Sequence, residues 1–90
     1  MKLYHATKKE YLKNILKNGL KRKQKHGYWG QGDSSYIYTA KTVGSAKPWG
    51  KVILEIDATG MDLRHFDGET PVWQILIAGD VPPDKLKLIN

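Results

Sequence analysis

Apolar residues at Tyr11, Leu12, Ile15 and Leu16 return at the three-to-four-residue interval of an amphipathic helix. Thr7-Lys8-Lys9-Glu10 ahead of them matches a capping box, with Thr7 as N-cap and Glu10 at the third helical position. Gly19 stands where a C-terminal cap belongs, and Leu20 is placed to fold back beneath it. The pattern predicts a helix over about residues 8–18. Elsewhere the apolar runs are short and β-prone: Leu3 to His5, Tyr36 to Thr39, Lys51 to Asp57, Met61 to Leu63, Trp73 to Ala78 and Leu86 to Ile89. Lys41 to Lys47 has room for one helical turn, stopped by Pro48. One helix followed by strands without βαβ alternation predicts an α+β domain, not a doubly wound sheet.

The 90 residues suit one domain, spanning 1–90, with a thin core. No apolar run reaches the roughly 18 residues of a membrane span, and no signal-peptide core follows Met1, so the expected setting is cytoplasmic, with no membrane partner. There is no cysteine, and His5, His26 and His65 lack metal-ligand spacing, so no metal is expected. Charge is uneven. Residues 1–26 hold nine Lys/Arg against Glu10 alone, while the remainder holds six against eight Asp/Glu. Lys9, Lys13 and Lys17 share a helix face that the Lys21–Lys25 run extends. Residues 8–25 therefore present either a solvated basic face or a surface for a polyanion, such as a nucleic acid.

His26 to Ser35 holds three glycines, and Tyr28, Trp29, Tyr36 and Tyr38 crowd around it. These aromatics either fill a core short of Phe or form a wall for a flat ring. Trp29, between Tyr28 and Gly30, fits the wall better. Gly30-Gln31-Gly32 is no dinucleotide fingerprint, because no helical pattern follows it.

Three separated segments together resemble the ADP-ribosyltransferase superfamily, in its small toxin-like and polymerase-like catalytic domains. They are Leu3-Tyr4-His5-Ala6-Thr7 leading into the helix, Tyr36-Ile37-Tyr38-Thr39-Ala40 with Ala46 downstream, and Trp73 to Leu86 (WQILIAGDVPPDKL). The resemblance implies a compact fold with one main N-terminal helix packed on a split antiparallel sheet. It implies NAD as substrate, and mono-ADP-ribosyl transfer to a protein or nucleic acid acceptor. By the same resemblance His5 anchors the adenosine ribose, Tyr38 stacks on nicotinamide with Tyr36 as the fallback, and Gln74 fills the place of the usual glutamate. Ala6, Thr7, Thr39 and Trp29 complete the expected binding set.

Gln74 departs from that pattern. A glutamine can bond a ribose hydroxyl, but it brings no negative charge to a developing cation and cannot act as a base. Chain-forming polymer synthesis is therefore not expected, and a non-catalytic module binding nucleotide, nucleic acid or protein on the same fold is the competing expectation. The RNA 2′-phosphotransferase branch of the fold ranks third, since Arg22 and Arg64 are the only arginines.

Overall fold

The computed structural model describes residues 1–22 and 36–89. Residues 23–25, the glycine-containing segment and its aromatics Tyr28 and Trp29 lie outside the described residues. Strand β1 (Lys2–Thr7) leads into helix α1 (Lys9–Asn18), followed by β2 (Ile37–Ala40) and the short helix α2 (Val43–Ala46). A 3₁₀ turn over Lys47–Trp49 precedes β3 (Val52–Asp57), and then come β4 (Leu63–Arg64), β5 (Gln74–Ile77) and β6 (Leu86–Leu88).

The strands form one open antiparallel sheet in the order β4-β5-β2-β1-β3-β6. The α+β class is as expected, and the six strands fall on the six β-prone runs. The split sheet expected from the resemblance is not seen as two separate sheets; the described strands are continuous. The continuity is thin at one seam, however. β1 runs beside β3 through six register pairs, from Lys2↔Asp57 to Thr7↔Val52, but meets β2 at the single pair Tyr4↔Ala40.

Alternation along the strands creates two apolar clusters, one on each face. Leu3, Ile37, Leu54, Ile56 and Ile77 pack with Ile15 of α1 on one face. Ala6, Ala40 and Ile53 pack with Ala46 of α2 on the other. Small residues on this second face let the four-residue α2 sit close to the sheet.

The start of α1 corrects the capping-box expectation. Thr7 is fully buried as the last residue of β1, opposite Val52. Lys8 therefore takes the N-cap position, without a side-chain cap bond. Strand pairing holds Thr7 more firmly than a capping hydroxyl, worth about 1 kcal/mol, could pull it into the helix. The other end is as expected. Gly19 has φ 85°, its N–H reaches the Ile15 carbonyl at 2.7 Å, and a side-chain Cβ there would run into the Val81 carbonyl. Leu20 is fully buried and exchanges backbone bonds of 2.9 and 2.8 Å with Val81. Leu16 is 42% exposed, at the edge of the helical stripe that Tyr11, Leu12 and Ile15 press on the core.

Candidate functional site

Thr7 ends its strand against the turn that carries Trp49, and the approach is set by Gly50. A Cβ on Gly50 would lie 2.7 Å from the Thr7 carbonyl oxygen and 3.0 Å from its nitrogen, so only glycine lets the two backbones come this near. Between them opens a cleft of about 750 Å³ lined by Thr7, Lys8, Lys9, Lys47, Trp49 and Lys51, with Pro48, Gly50 and Val52 completing it. Four of these side chains are ammonium groups and none is acidic. The indole of Trp49 is 39% exposed. Its ring stacks on Trp73 at 6.1 Å between centroids and 26° between planes. An aromatic plate stacked on a second ring, in a cleft that four lysines also line, suits a flat group that carries phosphates.

Trp73, the partner of Trp49, stands just before a strand that borders a second pocket. Its sequence neighbour Gln74 opens β5 and lines a pocket of about 260 Å³ with Tyr36, Tyr38, Leu76, Phe66, Glu69 and Thr70. Tyr38 lies opposite Leu76, and Ala40 opposite Gln74, so the pleat turns Tyr38 and Gln74 to the same face. Tyr36 is held edge-on to Phe66, with centroids 5.8 Å apart.

His5 is placed differently. It is fully buried, pairs in register with Leu54, and does not line either cleft. Its Nδ1 lies 2.8 Å from the main-chain carbonyl of Tyr38. A carbonyl only accepts, so Nδ1 carries the hydrogen of this bond. Continuing the Tyr4↔Ala40 register would set Ala6 against Tyr38, but the ladder stops. The imidazole adds a side-chain bond across the seam beyond that register pair. Thr39 is also fully buried, with its hydroxyl donating to the Ile75 carbonyl at 2.7 Å, and Ala6 is sealed in the α2 cluster. Of the residues singled out from sequence, Tyr36, Tyr38 and Gln74 thus come together. Thr7 lines the neighbouring cleft, His5 reaches the Tyr38 strand through its backbone, and Trp29 is outside the described residues.

Trp49 and the lysines Lys47 and Lys51 were missed in the sequence. Lys47-Pro48-Trp49-Gly50-Lys51 carries the signal, an aromatic between two basic residues in a Pro/Gly turn. The basic helix face is present, with Lys9, Lys13 and Lys17 all exposed on α1. Arg22 is occupied: its backbone N–H and Nε reach Asp80 Oδ1 at 2.9 and 3.2 Å. These bonds, the backbone one first, hold the Asp80 carboxyl below the usual carboxylate range. Among the described residues no group of three His, Asp or Glu is placed to hold a metal ion, and no helix is long and apolar enough to cross a membrane. No protein-family model matches the chain.

Proposed function

We propose that this domain binds NAD in the lysine-lined cleft and acts as a slow mono-ADP-ribosyltransferase towards a protein or nucleic acid acceptor. The observation that carries the reading is Trp49: an exposed ring among four lysines, stacked on the residue next to Gln74. At about 750 Å³ the cleft lies within the range of roughly 300–1,000 Å³ typical of small-molecule sites. The Tyr38 pocket, at about 260 Å³, suits one ring or a ribose rather than a whole dinucleotide. In this reading the lysines neutralise the pyrophosphate, and Trp49 takes the stacking role that the resemblance gives to Tyr38. Tyr38 and Gln74 then flank the reacting ribose. Gln74 orients a ribose hydroxyl through its amide, and the absence of charge there keeps transfer slow.

The competing reading, a non-catalytic module on the same fold, draws its support from that neutral Gln74. A calorimetric titration with NAD, paired with chromatographic measurement of nicotinamide release, separates the two. Binding that Trp49→Ala weakens at least about tenfold, with release above the solvent background, is expected on the stacking energy of one aromatic contact. Binding without any release supports the module, and absence of binding refutes the NAD reading.

A further inference from the structure

Among the described residues lining the two clefts, a single side chain is acidic: Glu69. It comes from the connection between β4 and β5 and faces the same pocket as Tyr36, Tyr38 and Gln74. Local bonds shape the turn that carries this exposed side chain. The Glu69 N–H donates to the Phe66 carbonyl at 3.0 Å, closing a turn with Gly68 at φ 82°. Thr70 N–H donates to that same carbonyl at 2.7 Å, and the Phe66 N–H donates back to Thr70 Oγ1 at 3.1 Å. His65 Nε2 lies 3.0 Å from the Pro71 carbonyl, and Phe66 rests on Tyr36. The carboxylate therefore stands on a turn tied at both ends and anchored to one wall of the pocket.

We propose that Glu69 is the catalytic carboxylate of this chain, supplying from the β4–β5 turn the charge that Gln74 lacks. The inference rests on the NAD reading above and assigns the residue that would make it work. The bond from the ribose C1′ to the nicotinamide nitrogen breaks, and its electron pair leaves with neutral nicotinamide. The ribose becomes cationic at C1′, and Glu69 faces that charge. An acceptor hydroxyl, water in the simplest case, attacks C1′ while Glu69 takes its proton and passes it to solvent. Water and NAD thus give ADP-ribose, nicotinamide and one proton, with no oxidant or metal needed.

The test compares the full chain with Glu69→Gln, which keeps the shape and removes the charge at an exposed position. Three readouts are taken: NAD affinity, nicotinamide release, and affinity for a protonated iminosugar analogue of the cationic ribose. Glu69→Gln is expected to leave NAD affinity within about threefold, because a transition-state contact adds little to ground-state binding. Release should fall on the order of 10²-fold, and analogue binding at least about tenfold. Adding Gln74→Glu to Glu69→Gln should bring release back to about the wild-type level, since the new carboxylate enters the same pocket. NAD binding with release and analogue affinity unchanged in Glu69→Gln overturns the assignment and leaves the NAD reading standing, as does wild-type binding without release. Absence of NAD binding by the wild type overturns both.

Discussion

His5 donates from Nδ1 to the main-chain carbonyl of Tyr38 at 2.8 Å, joining β1 to β2 where their backbone ladder has only one pair. Removing the ring with His5→Ala takes away this cross-strand bond and opens a cavity at a fully buried position. The expected cost is about 2–4 kcal/mol in urea unfolding. His5→Asn, which can present an amide donor near the Nδ1 position, should recover part of it. A loss of NAD binding that tracks this loss of stability would make His5 a support for the Tyr38 strand. A loss of binding in a variant of unchanged stability would make it the ligand anchor that the resemblance implies.

Gly19→Ala forces a side chain into the left-handed region and against the Val81 carbonyl. With ψ at −177°, Gly19 sits in a positive-φ region that is almost confined to glycine, where another residue costs on the order of 1–3 kcal/mol, and the clash with Val81 adds to it. We expect more than 2 kcal/mol of destabilisation, by the order of magnitude of such backbone effects. Guanidinium unfolding of this variant beside the wild type reads it directly.

Binding in the lysine cleft should depend on salt. Replacing Lys47 and Lys51 by Gln should weaken NAD severalfold at low ionic strength, with the difference shrinking as salt screens the exposed ammonium groups. Lys13→Gln and Lys17→Gln, on α1 but outside the cleft lining, should leave NAD affinity unchanged. Equal effects from both pairs would mean a general field in place of a local site.

Gln74→Glu puts a carboxylate beside Tyr38 in the wild-type background. Nicotinamide release should rise on the order of 10²-fold, the scale of one well-placed electrostatic contact, while NAD affinity changes little. Release that falls or stays flat would show that position 74 does not face the reacting ribose.

The Arg22–Asp80 pair gives a pH dependence with a defined sign. Asp80 is held below its ordinary value of 3.8, first by the Arg22 backbone N–H. Its unfolded form therefore binds protons more readily, and the pair's contribution is fully present above about pH 4. That contribution is lost as pH falls through the lowered value. The side chains are 41% and 44% exposed, so the effect is small, within about 1 kcal/mol. Asp80→Asn should flatten the acid limb of the wild-type stability curve slightly and leave the neutral plateau lower.

The helix and the strands were legible in the sequence because each is written in local spacing. Tyr11, Leu12 and Ile15 recur at the helical interval, and Val52, Ile53, Leu54 and Ile56 make a mostly apolar, β-prone run. The end of α1 was legible at Gly19 for the same reason, since a positive φ is a property of one residue. Its beginning was not, because Thr7 satisfies a capping rule locally and a strand pairing globally, and Val52, 45 positions away, decides between them. The grouping of Tyr36, Tyr38 and Gln74 could be approached through segments resembling a known family, but their shared face follows from the β2–β5 register. Trp49 and Glu69 had no such signal strong enough. One lies in a Pro/Gly turn and the other in an acidic loop, and each gains a role only from what folds beside it. The sequence by itself determined the α+β class, the elements and the basic N-terminal third. The tertiary structure decided that His5 bonds across a seam, that lysines from two distant segments line one cleft with Trp49, and that Glu69 and Gln74 line one pocket. Spacing acts within a few residues, whereas these contacts join residues separated by tens of positions, and only the register of the sheet sets them face to face.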